Sequence, residues 1–411
     1  DSQDDEVAIY FGSNHKLLCF IWDGSAYSTE LVSNRLFRDV NAWYHIVLAY
    51  DTTESAENDR IKLWVNNEEI TSWEQFNRAG SGFGTLWSSA MEHRIGTQND
   101  NGGTNYYFDG SMSHVHLTYG TAYTPSAFGE TDATTGEWKI KASPSVTYGS
   151  QGYFVLKDGN SLTDQSGQSN NFTVGGGTLT KTEDNPSNVF ATFNPLARNT
   201  SNTYANGNTT YDYANNYQKT TSSTLATNNK KIYAEFKKIR NSNMHFGIVG
   251  DTFTSDGRTG NDTGTSWTYD MRGHTGAIAL QSDTSSSTIF ADGSNTSTSV
   301  FTSTTNDIIM VAFDPTTKKI WFGKNGTWHN SGNPATGANA SYTYSGTATS
   351  DFCFAVASEG SSAGAISANF GNGYFGTTAV SSAGTNASNN GIFEYDVPAG
   401  YTALSTKGLN L

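Results

Sequence analysis

Asn306–Pro334 reads NDIIMVAFDPTTKKIWFGKNGTWHNSGNP and carries the densest strand and turn signals in the chain. Ile308 to Phe313 is an apolar run that ends at Asp314-Pro315, where proline has no N–H for a ladder and presets a turn dihedral. A strand stops there. Lys318 to Lys324 then places Ile320 and Phe322 on one face and Lys319, Trp321 and Gly323 on the other, because side chains along a strand alternate. Asn325-Gly326 supplies the two positive-φ residues of a tight hairpin, so the stretch predicts a three-strand meander.

The same run, followed by FCFAVASEGSSAGAISANFG and then VPAGYTALST, resembles a SPRY domain. That family shows the pattern D-I-I-x-V-A-F-D, K-I-W-F-x-K-N-G and a late N-F-G strand in this order, and the resemblance covers about half of the chain. It implies a bent β-sandwich that serves as a binding scaffold, with no chemistry of its own.

At 411 residues the chain exceeds the usual single-domain size, which predicts two domains with separate cores. Only 35% of residues are apolar and 15% charged, so Ser, Thr, Asn and Gly supply the solubility. An aromatic content of 13% with seven prolines and forty-two glycines fits many short strands joined by polar loops; a disordered chain would lack the aromatics. The net charge of −14, with no Lys/Arg cluster, repels phosphate backbones and anionic bilayers and argues against nucleic acid as a partner. No apolar run approaches the ~20 residues of a spanning helix, so no membrane insertion is expected. Cys19 and Cys353 each lie in an apolar, strand-like run (LLCFIW, DFCFAV) and read as buried free thiols, a disulfide or a metal being the alternatives. The first residue is Asp and no signal peptide is recognisable, which points to a trimmed chain with part of its N-terminal region missing.

Strand-like runs at Val7 to Phe11, Lys16 to Trp22, Trp43 to Tyr50, Arg60 to Val65 and Met112 to Tyr119, with Asp, Asn, Gly and Ser between them, predict an antiparallel sandwich over residues 1–128. Within it, WYHIVLAYDTT and DRIKLWVNNEE repeat the logic of the meander: an apolar strand ending in Asp, a polar turn, and a strand with Trp. The motifs Trp43-Tyr44-His45-Ile46-Val47, Ile61-Lys62-Leu63-Trp64-Val65-Asn66, Arg94-Ile95-Gly96 and Phe108-Asp109-Gly110-Ser111-Met112 resemble the laminin-G branch of the concanavalin A-like superfamily. That family has further strands before the position of Val7, and here they are absent. The expected fold class is therefore all-β, with two antiparallel, concanavalin A-like (jelly-roll) β-sandwiches in tandem over 1–128 and 201–411.

Residues 129–200 read as a loop-rich connector, because GETDATTGEWK and GGGTLTKTEDNP are acidic or glycine-rich. Tyr153 to Leu156 and Asn171 to Val174 are its strand candidates. A laminin-G-like unit ending in TPSAFGE, a connector with E-W-K-I-K and S-x-G-Y-F, the run DNPSNVFATFNPL and a SPRY-like unit together resemble virion structural proteins of tailed phages that infect marine bacteria and cyanobacteria. What this resemblance implies is a virion appendage, such as a tail fibre, that contacts host-surface glycan or protein and other virion proteins. It further implies a homo-oligomer, with a trimer favoured, placed on the virion surface and extracellular after release. A capsid decoration or head-fibre protein is the alternative, and a polysaccharide-degrading enzyme a third.

The enzyme reading lacks its acids. Glycoside hydrolysis on such a sandwich needs two carboxylates roughly 5 to 9.5 Å apart, and the E-x-D-x-x-E run that would supply them on one strand does not occur. Glu57-Asn58-Asp59 and Glu130-Thr131-Asp132 come nearest and read as solvated turn charge. No residue is assigned as catalytic. Among the eight histidines, His114 and His116 would project from one face of a strand, a spacing open to a metal or to a polar sheet face.

Binding residues are sought among loop aromatics beside polar groups, because sugar rings stack on exposed aromatic faces while Asp, Asn and Arg bond their hydroxyls. The candidates are Trp73 and Trp87 around Phe76 and Arg78, Tyr106 and Tyr107, and Trp267 and Tyr269 with Arg272 and His274. The plainer reading is that these rings cap the sandwich ends. Asn99, Asp100 and Asn101 offer hard oxygens that suit calcium, the one possible cofactor, although such a loop is also simply a loop.

Overall fold

The computed structural model describes residues 5–23, 27–39, 42–84, 92–100, 103–133, 136, 138–141, 143–157, 161–177, 179–186, 188–195, 202–213, 219–240, 242–252, 271–272, 274–359 and 363–410. The chain is all-β and divides into two compact units, Asp1–Lys181 and Thr182–Leu411. Among the described residues no helix is long and apolar enough to cross a membrane.

The N-terminal unit faces a four-stranded sheet against a three-stranded one. The first runs in the order β1 (Asp5–Phe11), β2 (Lys16–Asp23), β3 (Tyr27–Leu36) and β7 (Trp73–Asn77). The second is β4 (Ile46–Tyr50), β5 (Ile61–Val65) and β6 (Glu68–Glu69). Leu17, Cys19 and Leu31 from the one meet Ile61, Leu63 and Val65 from the other, with Leu48 and Trp73 packed between them. Three two-stranded ladders complete the unit: β8 (Gln98–Asp100) with β9 (Gly103–Asn105), β10 (Val115–Leu117) with β13 (Tyr153–Val155), and β11 (Gly129–Thr131) with β12 (Trp138–Ile140).

The C-terminal unit stacks two larger sheets. One is ordered β14 (Asn202–Ala205), β15 (Thr210–Tyr213), β27 (Gly364–Asn369), β17 (Ile232–Lys238), β22 (Ile308–Asp314), β23 (Lys319–Lys324) and β24 (Thr327–Trp328). β25 (Tyr342–Thr343) joins β23, and β30 (Thr402–Ala403) runs parallel to β17. The other is ordered β16 (Lys219–Ser222), β26 (Cys353–Glu359), β18 (Asn243–Val249), β19 (Ala277–Ser282), β20 (Ser287–Ala291) and β21 (Ser294–Thr298). A small ladder, β28 (Tyr374–Phe375) with β29 (Thr378–Ala379), lies in the C-terminal coil.

The meander forms as its residues require. Asn325 and Gly326 take φ of 49° and 84°, and β22 and β23 pair in register from Ile309↔Lys324 to Asp314↔Lys319. Ile309, Val311, Phe313, Ile320 and Phe322 enter the core between the sheets. Met310, Ala312 and Trp321, on the opposite face, are buried as well, under Phe190, Phe393, Val397 and Tyr401. That is why β22 reads as an unbroken apolar run: both of its faces are covered.

Several expectations change. The segment 129–200 does not stand apart as a connector, since the division falls at Lys181/Thr182. Its first part pairs β13 with β10, and in its last part Ala191 and Phe193 enter the C-terminal core. Asn171 to Val174 forms no strand; Phe172 instead donates its N–H to the Leu162 carbonyl. β3 and β7 belong to the four-stranded sheet although the sequence hid them. β3 turns Thr29, Leu31 and Ser33 inward, and the buried Ser33 hydroxyl accepts the Leu17 N–H at 3.0 Å. Two polar residues on its inner face erase the apolar alternation. Cys19 and Cys353 are free and buried, and burial pushes the Cys19 thiol up to about 12.

Candidate recognition surfaces

Tyr106 and Tyr107 are each 71% exposed and Phe108 45%, an unusual run of three solvent-facing rings just beyond β9. The backbone there is held. Tyr106 takes a left-handed φ of 56°, and Phe108 donates its N–H to the Gly96 carbonyl at 2.8 Å. A Cβ on Gly110 would lie 2.8 Å from the Phe108 ring, so that ring folds across the glycine. Exposed aromatic faces presented from a fixed backbone stack on flat apolar ligand surfaces with little ordering cost.

The other candidates part company. Trp73 is no loop-tip residue: it sits on β7, stacks on Phe76 at 5.1 Å with planes 2° apart, and packs into the core. The Arg78 guanidinium lies 3.6 Å over the Phe76 ring and bonds the Asn58 side chain. Trp87, Trp267, Tyr269 and Asn101 lie outside the described residues. Asn99 and Asp100 run as strand in the β8–β9 ladder, opposite Thr104 and Gly103. Among the described residues, no three His, Cys, Asp or Glu side chains converge as metal ligands.

Arg272 and His274 belong to the loop between β18 and β19, and Arg272 reaches 5.9 Å from the Phe290 ring. The roots of this loop are stiffly tied. Asp251 accepts the Thr349 N–H and hydroxyl, each at 2.8 Å, and the Ser350 hydroxyl at 3.0 Å, and these donors hold its carboxyl far below the usual range. Asp292 accepts the Gly276 N–H at 2.5 Å and the Tyr344 hydroxyl at 2.8 Å. A Cβ on Gly346 would sit 1.6 Å from the Asp292 carboxylate, so glycine lets the segment between β25 and β26 approach it closely. Three of the four acids considered for hydrolysis are bound by lysines: Asp59 by Lys62 at 2.8 Å, and Glu130 and Asp132 by Lys139 at 3.6 Å and 3.0 Å.

His114 and His116 do not share one strand face, because His114 precedes β10 with a φ of 52°. His116 stacks on Phe154 at 3.9 Å and bonds the Tyr148 hydroxyl at 2.9 Å, while His45 accepts the Trp138 indole N–H at 2.8 Å. Burial, with His114 and His45 nearby, pushes His116 down to about 3. A histidine lowered in the fold takes up its proton first in the unfolded chain. The N-terminal unit is therefore expected to lose stability as pH falls through 6.5 toward 3. Calorimetry of the wild type and His116→Phe checks this, the variant showing the smaller loss between pH 7 and 5.

The four-stranded sheet also carries an aromatic cluster on the face turned away from the core. On the outer face of the four-stranded sheet, Tyr10 meets Phe20 at 5.9 Å, Phe20 meets Tyr27 at 5.6 Å and Tyr27 meets Trp22 at 4.8 Å, all edge to face. The signal was present in VAIYF and LLCFIW, where both parities of the strand are apolar.

No protein-family model matches the chain, and no curated protein matches it by sequence. Among solved structures the chain is similar to the SPRY domain of human HERC1, with 13% identity over 43% of this chain and 96% of that one, at a TM-score of 0.32. It is similar also to the TRIM65 PSpry domain, with 10% identity over 44% of this chain and 91% of that one, at 0.32. Stonustoxin is a third, with 13% identity over 44% of this chain and 27% of its own, at 0.31.

Proposed function

We propose that this chain is a structural protein of a tailed-phage virion, a subunit of a tail fibre or other surface appendage that attaches to host glycan or protein by contact and breaks no bond. The observation that carries the reading is the Tyr106-Tyr107-Phe108 run, solvent-facing rings fixed on an all-β body. Repeated copies on one particle would turn weak single contacts into firm attachment. The chain's charge of −14 would at the same time suppress adhesion to unrelated anionic polymers.

The test is binding of the purified chain to host cells and to a glycan array. Replacing Tyr106 and Tyr107 together by alanine is expected to weaken binding about tenfold or more, since buried aromatic anchors contribute above about 1 kcal/mol each. The fold should persist by circular dichroism, because both side chains are 71% exposed. Equal binding by the double variant, or release of reducing sugar from host polysaccharide by the wild type, overturns the reading.

A further inference from the structure

We propose that the outward face of β2 and β3 in the N-terminal unit is a recognition site for an amino sugar, with Glu30 as the counter-ion of its ammonium group and the rings of Tyr10, Phe20, Trp22 and Tyr27 as the surface it lies on. Strand parity brings these residues together. Leu17, Cys19 and Ile21 of β2 and Thr29, Leu31 and Ser33 of β3 are buried on the inward face, so Phe20, Trp22 and Glu30 take the other. Glu30 stands directly opposite Phe20 in the β2–β3 ladder, and Tyr10 stands opposite Leu18 in the β1–β2 ladder.

Glu30 is a carboxylate in want of a cation. It is half-buried, and among the described residues it makes no hydrogen bond and no ion pair. Its other cross-strand neighbour, Asn77, spends its amide on the Tyr27 carbonyl at 3.1 Å. Lys16, on β2 as well, is taken by Glu74. A charge drawn partly out of water beside aromatic rings gains most from a partner that brings the opposite charge.

The rings set the shape of that partner. Phe20 is 8% exposed and meets Tyr10 at 5.9 Å and Tyr27 at 5.6 Å, both edge to face, while those two rings stay 38% and 46% exposed. Trp22 extends the row, 4.8 Å from Tyr27. The C–H face of a pyranose packs on such rings, and an ammonium is drawn to their π-faces and to the carboxylate together. A lysine side chain offers the charge on a thin stem, and a neutral sugar offers the ring without the charge. An amino sugar brings both, and a chain of net charge −14 attracts a cationic polymer from a distance. The site shares no residue with the Tyr106-Tyr107-Phe108 run and does not depend on the attachment reading.

Calorimetric titration of the full chain with the glucosamine hexamer and with its N-acetylated counterpart tests this, because acetylation removes the charge and keeps the rings. The glucosamine hexamer should bind, and the acetylated one about tenfold or more weakly. Glu30→Gln should weaken the glucosamine hexamer about tenfold and Tyr27→Ala about fivefold, each with a native circular dichroism spectrum. Glu57→Gln removes an exposed acid from the turn before β5 and should leave the affinity within about twofold, which separates the site from the diffuse charge. Should Tyr27→Ala lose the native spectrum, Glu30→Gln and the acetylated hexamer decide alone. Absence of binding, equal binding of the two hexamers, a Glu30→Gln chain that binds like wild type, equal weakening by Glu57→Gln, or tighter binding of hexalysine overturns the proposal. Its failure with host binding still lost in the tyrosine double variant leaves the attachment reading standing. Amino-sugar binding by a chain that does not adhere to host cells leaves this one standing.

Discussion

Replacing Glu235 by alanine is expected to destabilise the C-terminal unit by about 3–5 kcal/mol, because it strips the acceptor from several buried donors at once. Glu235 is fully buried on β17. Its carboxylate takes the Tyr233 hydroxyl and the Glu394 and Tyr395 N–H groups, each at 2.9 Å, and the Asn369 amide at 3.4 Å. The residue therefore holds the coil that carries Phe393 and Val397 against the outer face of the large sheet. Glutamine is no substitute, since its NH2 would confront a backbone N–H, and a loss of about 1–3 kcal/mol is expected.

Glu235 also gives that unit a pH dependence of defined sign. Burial pushes its pKa up to about 7 from an ordinary 4.5, against the pull of its donors. A carboxyl raised in the fold contributes stability that is fully present below pH 4.5 and is lost as pH rises through 7. The difference corresponds to about 3 kcal/mol. Asp283, Asp307 and Asp314 are shifted the other way and matter only below about their ordinary 3.8. Between pH 5 and 7.5, calorimetry should thus show the C-terminal transition falling in wild type and, with His329, lowered by burial, left as the opposing group, level or slightly rising in Glu235→Gln. The His116 effect on the N-terminal transition runs in the opposite direction over the same range.

Trp321→Ala is expected to cost a similar 3–5 kcal/mol. The indole is wholly buried, packs edge-on to Tyr401 at 6.3 Å, and donates its N–H to the Ala338 carbonyl at 2.8 Å. A Cβ on Gly332 would already stand 2.8 Å from the indole ring, so no slack exists around it. Trp321→Phe should restore most of the packing and leave the Ala338 carbonyl with the Asn333 N–H as its remaining donor. Urea unfolding of the two variants separates the terms: the alanine midpoint should lie well below the phenylalanine one.

The meander was legible because its information is local. Turn chemistry at Asp314-Pro315 and Asn325-Gly326 and the parity of Ile320, Trp321 and Phe322 all act within a few residues. Glu235 was not legible, since its acceptor role depends on Glu394 and Tyr395, some 160 residues downstream. Trp73 in the polar run WEQFN reads as a loop tip until Leu31 and Ile61 arrive from other strands to bury it. Of the recognition candidates, Tyr106 and Tyr107 could be found because a double tyrosine between polar turns has few core positions to occupy.

Attachment by an appendage is most directly tested by immunogold electron microscopy of intact phage particles with antibody against the purified chain. The account predicts gold on the tail or its fibres, with the same antibody blocking adsorption to host cells. Gold spread over the capsid shell, or particles that bear none, would contradict it.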